Sequence, residues 1–229
     1  MAVSIDGNAT AGYVENGATQ NPAVVTPPGV VGSGDLLIAF VHCYSGSANR
    51  YSSVPSGWTQ KGATQNWGAA TRSFQIMYCE DASEVTGNVS FTPIDTWTSV
   101  SVMMVRVSDA DYTTIAVAFD TEDGTGNSVN VICPSVAVPA DDSALFPFAA
   151  SRFNPTYSRS GYTELYDGLL ADSDGHCIYG KTGVSSGASG TVTITSSISW
   201  TDDYWQGTLA VGPAASGNRR RRVICGACA

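Results

Sequence analysis

Gly183-Val184-Ser185-Ser186-Gly187 has the G-x-S-x-G spacing of a nucleophile elbow. An elbow needs a strand before its serine and a helix after it, so that the hydroxyl stands out of a sharp turn within reach of a histidine. Here the motif lies in Gly/Ser-rich sequence ahead of the strand-like run Thr191–Thr195, and the chain has only 2 histidines, His42 and His176. A loop is expected, with no catalytic residue. Each histidine precedes a cysteine, as His42-Cys43 and His176-Cys177. Successive strand residues point to opposite faces, so neither pair is expected to close on one metal ion. Asp172-Ser173-Asp174-Gly175 resembles a fragment of a calcium loop, but calcium takes about six to eight oxygens and the bidentate glutamate is missing at the expected distance. Gly32-Ser33-Gly34 lacks the Lys-Ser/Thr of a phosphate loop. Cys225-Gly-Ala-Cys228 has no second Cys pair or His pair to complete a zinc site. No metal or cofactor is expected. The other cysteines, Cys43, Cys79, Cys133 and Cys177, sit in apolar contexts and read as free buried thiols.

Binding chemistry has two candidate sources. The aromatics include Trp58, Trp67, Trp97, Trp200 and Trp205 together with Tyr204. A sugar platform needs such rings exposed in a row. Trp67, Tyr204 and Trp205 are the better exposed candidates, whereas Trp58 and its counterpart Tyr162 are expected to pack. The second source is Arg219, Arg220, Arg221 and Arg222, followed by Val223 and Ile224. Arginine forks hold carboxylates in two-point geometry, and the valine and isoleucine add apolar area. Formal net charge is −9, and without these four arginines the rest carries 7 basic against 20 acidic residues. That sign argues against a body that binds nucleic acid or an anionic membrane. The start of the chain has neither the basic nor the apolar region of a signal peptide, and no apolar run has the length of a membrane helix. Synthesis in a cytoplasm is expected, with the sequons at Asn8 and Asn88 read as chance.

The elements that must position these residues read as strands. Gly numbers 24 and Pro 10, while charged residues are only 14%. Val89-Ser90-Phe91 and Val192-Thr193-Ile194 alternate apolar and polar, as half-buried strands do. Clusters such as Pro27-Pro28-Gly29 and Pro139-Ala140-Asp141 supply turns. No window keeps a helical period with caps. The pattern is also written twice. Gly34-Asp35-Leu36-Leu37-Ile38-Ala39-Phe40 is answered by Asp142-Ser143-Ala144-Leu145-Phe146-Pro147-Phe148, and Ser56-Gly57-Trp58-Thr59 by Ser160-Gly161-Tyr162-Thr163. Thr86–Phe91 is answered by Ser189–Ile194, and Trp97 with Ser99–Val107 by Trp205 with Gly207–Gly212. The order is kept and the offset drifts only from about 108 to about 103 residues. The expected fold is all-β: two tandem repeats of about 100 residues forming jelly-roll-like antiparallel β-sandwiches, with almost no helix. Residues 1–110 form the first repeat, 111–212 the second, packed on the first, and 213–229 a basic arm. The stretch Ser108–Phe119 reads as a short, partly apolar connection. Two tandem sandwiches and one fused sandwich both fit.

Pro27-Pro28-Gly29, Gly34–Ala39, Pro55-Ser56-Gly57-Trp58-Thr59, Tyr78–Ala82 and Thr86–Phe91 together resemble β-sandwich proteins found among tailed-bacteriophage structural proteins and bacterial surface proteins. The resemblance spans about residues 16 to 212 and is stronger in the first half. The second half departs from it with Tyr162 in place of a tryptophan and Pro147 inside a strand. Its motifs are structural, and what they imply is a non-enzymatic virion protein that binds and stabilises an assembled head as capsid cement. Partners would be the major capsid protein or neighbouring virion subunits, and the protein would be a homo-oligomer on the particle, with residues 219–224 as the anchoring contact. The alternative is a carbohydrate-binding or adhesion module of a tail fibre or surface protein.

Overall fold

In the computed structural model the described residues are 2–15, 20–32, 34–45, 52–67, 72–122, 128–151, 155–170, 174–200 and 204–215. Eighteen strands and one short 3₁₀ turn, Ala82–Glu84, account for the regular structure among them. Every strand pairing is antiparallel.

Two large sheets dominate. The first runs β1 (Ser4–Ile5), β8 (Thr98–Ser108), β4 (Leu36–Ser45), β6 (Arg72–Cys79), β5 (Thr59–Trp67), with β2 (Thr10–Val14) also on β8. The second runs β14 (Thr163–Leu169), β15 (Gly175–Val184), β12 (Ser143–Ser151), β18 (Tyr204–Pro213), β9 (Ala110–Glu122). Three smaller pieces lie outside them: β3 (Ala23–Val25) with β7 (Val89–Phe91); β10 (Ser128–Cys133), β17 (Val192–Trp200) and β13 (Tyr157–Ser158); and the ribbon β11 (Ala137–Val138) with β16 (Gly187–Ala188). The order β8-β4-β6-β5 in the first half matches β18-β12-β15-β14 in the second, and β3–β7 matches β10–β17.

Period-two alternation explains how these sheets stack. On β4, Leu36, Ile38 and Phe40 point to one face and Leu37, Ala39 and Val41 to the other, and all six are buried. A strand that is apolar on both faces must be covered on both. One face of the first large sheet packs on β3–β7, with Trp58 and Phe91 edge to face at 5.6 Å. One face of the second packs on β10–β17 through Val131, Cys133, Val192 and Ile194. The remaining two faces close on each other in a shared central core. The result is four layers: two sandwiches joined through their large sheets. About 25 cal/mol for each Å² of apolar surface removed from water makes that joint a principal stabilising term.

The middle of this joint is aromatic. Phe40 and Phe74 of the first half meet Phe119, Phe148 and Trp205 of the second, with Phe74 and Phe148 stacked at 5.5 Å and Phe148 and Trp205 at 4.8 Å. Gly207 makes room for them, because a Cβ there would run into the Phe148 ring and the Ala118 carbonyl. Gly12 does the same on β2, where a side chain would meet the Val24 backbone.

Two expectations need correction. Ser108–Phe119 is no mere connection: the chain turns at Asp109, in a left-handed conformation (φ 56°), and runs on as the 13-residue strand β9. Ile115 of that strand enters the central core. Residue 213, read as the start of an arm, still belongs to the body, since β18 reaches Pro213 and the Ala214 N–H donates to the Asp109 carbonyl, and residues 216–229 lie outside the described residues. Pro147 sits in β12, between β15 and β18. Proline has no N–H to give, and the β12–β15 pairing passes from Leu145–Lys181 to Phe148–Ile178 without pairing Phe146 or Pro147.

Truncating Trp205 to Ala is expected to cost about 3–5 kcal/mol, the usual range for a fully buried large aromatic. Gly207→Ala is expected to cost about 1–3 kcal/mol through overpacking. Urea unfolding midpoints of the two variants check both.

Candidate functional site

At one end of the molecule the central layer changes from apolar to polar. β4 and β8 run with Ser101 opposite His42 and Ser99 opposite Tyr44, while Arg72 of β6 lies opposite Tyr44. From the second sheet, β15 begins at Gly175-His176, with Asp174 just ahead of it. His42, Arg72, Asp174 and His176 are all buried, at 3%, 7%, 2% and 0% exposure.

The two histidines, 134 residues apart in sequence, are hydrogen-bonded to each other. His176 Nδ1 lies 2.9 Å from the Asp174 backbone carbonyl, which can only accept. His176 therefore carries its proton on Nδ1 and offers Nε2 as an acceptor. His42 Nδ1 lies 2.9 Å from that Nε2 and must donate. A chain of two neutral rings thus runs from the first sandwich into the second. Burial, the neighbouring His176 and the Arg72 charge hold the His42 imidazole well below its ordinary range. Burial lowers His176 to about 4, opposed in part by its hydrogen bond to Asp174. The Asp174 carboxylate stands 3.8 Å from Arg72 Nε and 3.9 Å from His42 Nδ1. The Arg72 guanidinium also lies over the Tyr44 ring, 5.2 Å from its centre.

Ser101 beside His42 has the composition of a nucleophile and base. At 2% and 3% exposure both lie between the two large sheets, and a substrate would have to part those sheets to reach them. Among the described residues no three His, Cys, Asp or Glu side chains are placed to hold a metal ion. His42 and His176 face the central layer, whereas Cys43 and Cys177 belong to the outer cores, as strand alternation requires.

The other sequence motifs fall as follows. Gly183–Gly187 is the link from β15 into β16, strand to strand, and Ser186 donates from both its N–H and its hydroxyl to Asp141. Asp174, read as part of a calcium-loop fragment, turns inward to Arg72 and His42. Trp205, read as an exposed platform ring, is 0% exposed because it shares a strand face with Leu209 and Val211. Trp67 and Tyr204 end β5 and begin β18, and their side chains lie outside the described residues, as do Trp200's side chain and the whole of Arg219, Arg220, Arg221, Arg222, Val223 and Ile224. Trp97 is the exposed tryptophan among the described residues, 62% accessible and in a left-handed conformation (φ 63°). It stands just before β8, at the same end of the molecule as the polar cluster. The four described cysteines are free and buried, with burial pushing Cys43 and Cys133 up to about 12.

No family model, curated protein or solved structure matches this chain. Among the described residues a groove of about 640 Å³ lies between residues 4–8 and the strands β14 and β15. Tyr162 and Lys181 line it, the Lys181 ammonium lying 5.5 Å from the Tyr162 ring centre, and Arg159 approaches the same ring at 5.2 Å. It presents hydroxyl, amide and cationic groups but no carboxylate, imidazole or thiol.

Asp174→Asn is expected to destabilise the protein by about 3 kcal/mol or more, because Arg72 is left charged and buried. The double variant Arg72→Met/Asp174→Leu should lose less than Asp174→Asn alone, a comparison that denaturant titration decides. A thiol reagent should reach at most Cys225 and Cys228 in the native protein and all 6 cysteines after denaturation.

Proposed function

We propose that this chain is a non-enzymatic structural protein of a bacteriophage particle, a duplicated jelly-roll-like cement protein that binds the assembled head. The observation that carries the non-enzymatic reading is where the reactive side chains lie. Among the described residues the histidines and cysteines, His42, His176, Cys43, Cys79, Cys133 and Cys177, are all sealed between layers. What remains for function is shape and surface. The virion context is supported by the sequence motifs around Gly34–Ala39 and Ser56–Thr59 alone.

In this reading the four-layer body is a rigid block and the residues after Ala215 are a basic arm that reaches a neighbouring subunit. The chain leaves β18 beside Asp109, at the end opposite the buried polar cluster. Arginine–carboxylate contacts and burial of Val223 and Ile224 would hold it there.

Trp97 favours a second reading, a glycan-binding module. A tryptophan held exposed in a left-handed conformation carries strain, and strain of that kind clusters at binding sites.

Co-sedimentation with phage heads that lack the protein tests the first reading. The full chain is expected to sediment, and a chain ending at Ala215 is expected to bind at least tenfold more weakly. If neither binds, the cement reading falls. Glycan-array binding that Trp97→Ala abolishes would then establish the second.

A further inference from the structure

We propose that the imidazole pair His42–His176 is an acid-sensitive latch between the two sandwiches, closed while both rings are neutral and opened by protonation. This proposal does not rest on the reading of function above.

The geometry sets the chemistry. One N–H···N bond of 2.9 Å joins the rings, and it uses the only lone pair His176 has left once its Nδ1–H is committed to the Asp174 carbonyl. A proton arriving on His176 Nε2 removes that acceptor, and the bond survives only if the His42 proton moves from Nδ1 to Nε2. A proton arriving on His42 Nε2 spares the bond but places a second cation beside Arg72, inside the layer. Either event places a buried cation at the interface of the two halves.

The groups facing the pair come from every element packed on it. Tyr44 follows His42 on β4, and Ser101 of β8 and Phe74 of β6 flank it. Gly168 of β14 and Ala150 of β12 flank His176. Among the described residues the charged members are Arg72 and Asp174, which lie close enough to offset one another. Asp174 is 3.9 Å from His42 Nδ1 and favours the imidazolium, but its charge is shared with Arg72. The far part of the central layer is apolar and includes Leu36, Val105, Val107 and Val211. Acid therefore opens the polar end of the joint, while the apolar part keeps the halves together.

The direction of the pH dependence follows from linkage. An unfolded histidine binds its proton near 6.5, whereas folded His176 does so only at about 4 and folded His42 also lies well below 6.5. Between those values the unfolded chain holds more protons, so stability is complete above about 6.5 and falls as pH drops toward 4.

Two measurements on the full chain test the latch. The first is ring-nitrogen NMR. At pH 6.5 both rings should be neutral with the proton on Nδ1, His176 should titrate at about 4, and His42 should titrate below its ordinary range. At pH 4, amides of residues 42–44 and 175–177 should exchange at least tenfold faster than at pH 6.5, after correction for intrinsic rates, with Phe40 and Phe148 unchanged. The second is thermal melting of His42→Leu/His176→Leu. Between pH 6.5 and 4 its melting temperature should fall by at least about 5 °C less than that of the parent. Parallel melting curves, or either ring titrating near 6.5, would overturn the proposal. If the double variant does not fold, the titration of the parent rings decides.

Discussion

A β-sheet with apolar side chains on both faces has no side to turn to water, and both large sheets of this protein are of that kind. Each half can cover one face with its own small sheet, β3–β7 or β10–β17. Among the described residues neither has a second small sheet for the other face. The two uncovered faces are complementary in position because the halves share a strand order, and they close on each other. That mutual cover makes a 229-residue chain one four-layer body. It also dictates the fine packing: Gly207 is glycine because the Phe148 ring occupies the space a side chain would need.

The polar end of the joint has a different energetic character. A buried Arg–Asp pair is a weak contributor to net stability, because desolvation offsets most of its attraction. Its value, with the two histidines, lies in directionality. Apolar contact in the aromatic cluster is non-directional, whereas the 2.9 Å hydrogen bond from His42 to His176 is directional and ties the two sandwiches at one register.

Much of the architecture is readable from residue pattern. The run Leu36–Val41 is apolar at consecutive positions and indicates a strand buried on both faces, which is where β4 lies. Turn residues at Gly57 and Gly161 mark equivalent corners, both with positive φ. Trp58 packs in the first sandwich and Tyr162 lies against the core of the second. Other signals were present but easy to pass over. Trp205, Gly207, Leu209 and Val211 alternate, which puts the tryptophan on the apolar face, and Ile115, Val117 and Phe119 alternate in the same way within β9. The site was not readable. Nothing in either local sequence says that His42 and His176 meet, because that contact depends on how two sheets stack, and strand periodicity carries no information about the partner layer. Pro147, read as lying inside a strand, does so in the inner strand β12, where its pairing with β15 skips Phe146 and Pro147.

The first residues of the chain carry a consequence for its synthesis. The Val3 N–H donates to the Asp142 carbonyl and the Ala9 N–H to the Leu165 carbonyl, so the segment made first completes its bonds with residues made much later. At about 5–20 residues per second, the first sandwich leaves the ribosome many seconds before its cover exists. Throughout that interval one face of β8, β4 and β6 is bare, and the matching surface on a neighbouring nascent chain has the same shape as the one it awaits. Crowded polysomes therefore favour exchange of halves between copies, and the intervals between ribosomes on the message become a determinant of how much chain pairs its two halves within one copy.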